Sequence, residues 1–150
     1  EKNMPIHLHE FINELKQKYT MELVHTYCKP RFYHEYALSR LKSEGYMLGC
    51  ASNSIKESIE VMLLKSNLIK YMDVIYSAQD VLKPKPDPDI YIKAISTLGM
   101  TPEECLVIED NENGIKAAKD SGAHVMVVKE VSEVNFINIK QKIDQINKKL

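Results

Sequence analysis

The stretch Leu106–Ala118, LVIEDNENGIKAA, decides the fold. Three apolar residues, Leu106, Val107 and Ile108, run straight into two adjacent carboxylates, Glu109 and Asp110. A polar turn follows, and a helical pattern opens at Gly114. A short apolar run bounded by turn residues suits a strand buried on both faces. The stretch therefore reads as strand, acidic tip, helix. In open α/β sheets, ligands bind outside the carboxyl ends of the strands. Two acids side by side there repel each other. Both stay ionised most easily when a cation sits between them and an anionic ligand.

Outward from this stretch, strand and helix patterns alternate. Upstream, Tyr46–Ala51 (YMLGCA) reads as a buried strand and Asp73–Ser77 (DVIYS) as another. A helix is expected from about Ile55 to Lys65, with Ser54 and Glu57 fitting a capping box. A second helix should open at Pro88, capped by Asp87, and stop at Gly99. Thr101–Glu104 is a capping-box turn feeding the strand Cys105–Ile108. Downstream, the helix from Gly114 to Ser121 leads through Gly122 into the strand Ala123–Val128. The last helix carries Phe136, Ile139, Ile143, Ile146 and Leu150, and its lysines Lys140, Lys142, Lys148 and Lys149 read as a solvated face. This alternation predicts a parallel sheet with right-handed crossovers, a doubly wound α/β fold. Residues 6–27 differ: Leu8, Phe11, Ile12, Leu15 and Tyr19 give a helical pattern with no strand partner nearby. Phe32–Glu44 is a further helix, stopped by Gly45. His7 and His9 lie two apart, so on a helix they do not share a face and suit no metal.

The bulk numbers narrow the function classes. A chain of 150 residues is one domain's worth. A net charge of −1 gives no sign of a nucleic acid or an anionic membrane as partner. Cys28, Cys50 and Cys105 are far apart and odd in number, which suits free thiols in a reducing compartment. No apolar run approaches the roughly 18–20 residues of a membrane span. The expected location is cytoplasmic.

Three groups fall just past the carboxyl ends of predicted strands. Ser52 and Asn53 offer a hydroxyl and free N–H groups at a helix start, a seat for a phosphate oxygen. Ser52 could instead cap the helix, but Ser54 suits that task better. In KPKPDPD, Lys83 offers a point charge held by a following proline, and Lys85 competes with it. Glu109 and Asp110 form the third group. Each alone reads as ordinary surface chemistry. Together, on one sheet edge, they describe a site for Mg²⁺ and a phosphorylated ligand.

Ser52 after an apolar strand, the Lys83–Asp89 run, and VIEDNENGIKAA followed by DSGAHV resemble the second, third and fourth motifs of the haloacid dehalogenase-like superfamily, closest to its β-phosphoglucomutase-like phosphatase branch. The likeness covers roughly residues 30–130. It implies that Ser52 and the Asn53 N–H bind a phosphoryl group. It also implies that Lys83, preferred over Lys85 as the first lysine of K-P-x-P-D, neutralises nucleophile and phosphate. Glu109 and Asp110 would then hold Mg²⁺. The resemblance implies a Rossmann-like core over residues 29–150, with residues 1–28 as the end of a helical cap. It also implies a small phosphorylated metabolite as substrate, leaving hydrolase and mutase both open. The family's first motif, D-x-D-G after the central strand, is absent. The expectation is therefore a core with its central strand and nucleophile missing, inactive alone and marginal in stability. A missing N-terminal segment or another chain would complete the sheet. The competing expectation is a non-catalytic phosphate- and metal-binding module.

Overall fold

The computed structural model describes residues 6–148. Among these residues, six helices and four short strands follow in the order α1 (Ile6–Tyr27), α2 (Phe32–Ser43), β1 (Gly49–Ala51), α3 (Lys56–Lys65), β2 (Val74–Tyr76), α4 (Asp89–Thr97), β3 (Leu106–Glu109), α5 (Glu112–Asp120), β4 (His124–Val127) and α6 (Phe136–Asn147). Single 3₁₀ turns at Ile69–Tyr71, Ala78–Asp80, Pro102–Glu104 and Val131–Glu133 lie in the connections.

The strands are parallel, as the alternation predicts. Among the described residues they form two separate pairs. β1 pairs with β2, setting Gly49 opposite Val74 and Ala51 opposite Tyr76. β3 pairs with β4, setting Leu106 opposite His124 and Glu109 opposite Val127. No ladder joins β1 to β3. This is the α/β arrangement expected, with the sheet in two halves.

Alternation along β3 sends side chains to two layers. Leu106 and Ile108 pack with Ala37 and Leu41 of α2 and Ile139 of α6. Val107 packs with Ile90 and Tyr91 of α4 and Ala117 and Ala118 of α5. Helices thus cover both faces, yet β3 is only half-buried along its length, short of the burial expected. One side of its ladder is unpaired among the described residues, so solvent reaches it from that edge.

Several boundaries move for local reasons. Ser54 does not cap α3. Its N–H donates to Ser52 Oγ at 3.1 Å, and the Lys56 N–H is satisfied by Gln79 Oε1 at 3.0 Å. α4 starts at Asp89, whose N–H donates to Asp87 Oδ1 at 3.2 Å. α5 starts at Glu112 because the Asn111 side chain accepts the Asn113 N–H at 2.9 Å. Lys140 is half-buried: its ammonium donates to Tyr46 Oη at 3.1 Å and pairs with Glu44 at 3.0 Å. The Glu104 carboxylate accepts the Thr101 N–H at 2.8 Å, as the capping-box reading predicts. Gly45 and Gly99 end α2 and α4 with φ of +87° and +68°.

α1 packs mainly on α3, and it leaves Leu8, Phe11, Tyr19, Leu23 and Tyr27 exposed. His7 is exposed beside Glu10 at 3.7 Å; the side chain of His9, and Lys149 and Leu150, lie outside the described residues. All three cysteines are free. Among the described residues no helix is long and apolar enough to cross a membrane.

Candidate active site

The carboxyl ends of β1 and β3 open on one cavity of about 380 Å³. Ala51, Ser52, Asn53, Lys85, Glu109, Asp110 and Gly114 line it, with Asn111 and Asn113. The strand ends deliver these side chains to one rim because the parallel strands all point the same way. Ser52, Asn53, Glu109 and Asp110 therefore meet where the sequence places them.

The lysine is different. Lys83 does not line the cavity; its side chain is 73% exposed, with Nζ 3.8 Å from Asp87. Lys85 lines the cavity instead, with its side chain 8% exposed. The preference for Lys83 is corrected. KPKPDPD contains K-P-x-P-D twice, at 83–87 and 85–89. Motif order cannot separate the two copies, but burial does. The second copy runs directly into Ile90 and Tyr91, the buried face of α4.

Lys85 spends all three of its ammonium protons. Nζ donates to Ala51 O at 3.0 Å, to Tyr91 Oη at 2.6 Å and to Glu109 Oε1. The Tyr91 hydroxyl in turn donates to Glu109 Oε1. Burial, and then the Glu109 carboxylate beside it, push the Tyr91 hydroxyl far above the usual phenol range, so it remains a donor. For Glu109, burial works against the charged form. Hydrogen bonds from Lys85 and Tyr91 outweigh that and hold its pKa below the ordinary glutamate value. The Asp110 N–H donates to Glu109 Oε2 at 3.2 Å. Burial raises the Cys50 thiol, opposed by the Lys85 charge.

Two supporting residues were not singled out by sequence. Tyr91 falls within the helix expected from Pro88 to Gly99, and a buried tyrosine hydroxyl needs a partner. Gly114 read only as a helix opening. A Cβ there would overlap the Glu109 carboxylate. Glycine inside a helix costs about 1 kcal/mol against alanine, which is itself a signal of close approach.

The donor set fits Mg²⁺. That ion keeps several waters and is held by one or two carboxylates together with substrate phosphate. The Asp110 carboxylate is exposed at the rim, and among the described residues no hydrogen bond reaches it. Glu109 Oε2 accepts only backbone N–H groups. Among the described residues no cluster of three or more His, Cys, Asp or Glu forms a metal cage. The pair would act as part of a shell.

Comparison with known proteins identifies the family and the fold. A phosphoglycolate phosphatase of Aquifex aeolicus is 33% identical over 109 residues, covering 73% of this chain and 51% of that protein. Two solved structures share the fold. A haloacid dehalogenase-superfamily hydrolase, family IA, variant 3, of Entamoeba histolytica gives a TM-score of 0.80 at 23% identity, covering 98% of this chain and 74% of that one. A β-phosphoglucomutase of Clostridium difficile gives 0.77 at 23% identity, covering 95% and 70%. The chain spans 39% to 61% of the lengths of the first curated relatives it matches. The family model for haloacid dehalogenase-like hydrolases matches residues 1–128, and the chain belongs to that family.

Proposed function

We propose that this chain carries the phosphate and Mg²⁺ seat of a phosphoryl-transfer enzyme acting on a small phosphorylated metabolite. One observation carries the reading: Ser52, Asn53, Lys85, Glu109 and Asp110 line a single cavity at the carboxyl ends of β1 and β3. Ser52 Oγ accepts the Ser54 N–H, so its own proton is free to donate to a phosphoryl oxygen. The Asn53 N–H would add a second donor. Lys85 supplies a fixed positive charge. Bound between Asp110, Glu109 and phosphate, Mg²⁺ would neutralise phosphoryl charge.

In this reading the nucleophilic aspartate comes from outside the 150 residues, since no D-x-D-G occurs in them. It would arrive on a strand set between β1 and β3, each of which has one unpaired edge among the described residues. That segment could belong to the same polypeptide or to another chain. The seat itself serves phosphatase and mutase chemistry alike.

The test is hydrolysis of p-nitrophenyl phosphate in Mg²⁺, with and without a D-x-D-G strand supplied by a relative's amino-terminal segment. The isolated chain should turn over little or nothing, and the complemented protein should be active. Ordinary phosphatase turnover by the isolated chain would overturn the assignment of the nucleophile. Phosphate binding with no activity after complementation would favour a non-catalytic binding module.

A further inference from the structure

Asn53 stands two residues past β1, with its side chain turned to a different loop. Oδ1 accepts the Lys85 N–H at 2.9 Å, and Nδ2 donates to Lys85 O at 3.0 Å. One carboxamide thus satisfies both backbone groups of a residue 32 positions away. The two partners differ in kind, so they also fix which way the amide faces.

The segment it grips has few other means of support. Lys85 lies between Pro84 and Pro86, and proline has no N–H. Within residues 84–86 the Lys85 N–H is therefore the sole backbone donor, and Asn53 takes it. No strand or helix runs through this segment. The Lys85 side chain nevertheless reaches three fixed acceptors at once: Ala51 O, Tyr91 Oη and Glu109 Oε1. Such convergence requires the Lys85 backbone to be held in place. Lys83, two residues earlier in a near-repeat of the same sequence, has no such grip and lies in solvent.

We propose that the Asn53 carboxamide is a positioning residue for Lys85. It fixes the backbone from which Nζ reaches the cavity, and so makes Lys85 rather than Lys83 the cation of the site. This role belongs to the side chain and is separate from any use of the Asn53 N–H by a phosphate. Its consequence for phosphate binding rests on the proposed function; the positioning itself does not.

The experiment is lysine acetylation of the folded chain, read residue by residue by mass spectrometry, in the wild type and in Asn53→Ala and Asn53→Asp. Wild-type Lys85 should react much more slowly than Lys83. In Asn53→Ala the Lys85 rate should rise about five-fold or more, with Lys83 unchanged. Asn53→Asp keeps an acceptor for the Lys85 N–H but sets a charged oxygen against Lys85 O. It should also expose Lys85. Unchanged Lys85 reactivity in both variants would overturn the proposal. So would a rise at every lysine in both, which would make Asn53 a support of the whole fold.

Calorimetry with inorganic phosphate in Mg²⁺ supplies the second readout. Asn53→Ala should weaken phosphate about five- to ten-fold in the wild-type background and add nothing in Lys85→Ala. Equal losses in both backgrounds would overturn action through Lys85. If the wild type binds no phosphate while Lys85 reactivity still depends on Asn53, the functional reading fails and the positioning role stands.

Discussion

Gly114 stands directly against the Glu109 carboxylate: a Cβ on Gly114 would overlap it. The first turns of α5 are therefore shaped around that carboxylate. Gly114→Ala has two opposed effects. It gains helix propensity of about 1 kcal/mol, and it forces the Glu109 side chain to move. The second effect outweighs the first, because moving the carboxylate loosens its bonds to Lys85 and Tyr91. The expected result is a net stability loss of about 1–2 kcal/mol with Mg²⁺ affinity lowered about ten-fold, measured by calorimetry. Unchanged Mg²⁺ affinity would separate Glu109 from the metal seat.

The two lysines should behave unequally. Lys85→Ala strands the Glu109 carboxylate, 11% exposed, without its cation. Breaking a buried pair from one side costs about 3–5 kcal/mol. Lys83→Ala removes an exposed charge and should change stability by no more than about 0.5 kcal/mol. Urea denaturation of the two variants measures the contrast. Equal effects would contradict the placement of Lys85.

Tyr91→Phe keeps the ring in the core formed with Ile90, Ala117 and Ala118 but removes the hydroxyl bonded to Lys85 and Glu109. Hydrogen bonds to charged groups contribute about 1.5–3 kcal/mol. A loss in that range is expected by chemical denaturation, with the helical circular-dichroism signal intact. A neutral substitution would show that Lys85 and Glu109 satisfy each other without the tyrosine.

Glu109 also sets a pH dependence. Its folded pKa lies below 4.5, the ordinary glutamate value. A depressed carboxylate contributes stability that is fully present above the unfolded pKa. That contribution is lost as pH falls below 4.5 and through the folded pKa. Glu109→Gln cannot titrate. The difference in urea midpoint between wild type and variant should be greatest near neutral pH and shrink below pH 4.5. A difference that stays constant from pH 7 to pH 3 would mean the group gains nothing from its partners when charged.

The sequence revealed the parts of the site that rest on strong local contrasts. Leu106–Ile108 running into Glu109–Asp110 marks a strand with a polar end, and the structure ends β3 at Glu109. Gly45 and Gly99 mark helix stops, and both have positive φ. What stayed hidden depends on contacts between distant residues. Ser54 fits a capping pattern, but Gln79 reaches the helix start first. Lys83 and Lys85 satisfy one motif formula equally, and only the folded chain buries one of them. Lys140 fits a solvated helix face, yet Glu44 and Tyr46 draw it inward from across the fold.

The fully engaged ammonium of Lys85 has a thermodynamic consequence. An anion arriving at this cation does not add to an open coordination sphere. It must exchange with Glu109, Tyr91 or the Ala51 carbonyl for one of three protons already donated. Exchange with Glu109 would release a carboxylate oxygen at the moment the anion arrives, and a divalent cation could then take that oxygen. In the proposed function, substitution at the lysine and ligation at the acid would be two halves of one swap, each arriving charge meeting its opposite.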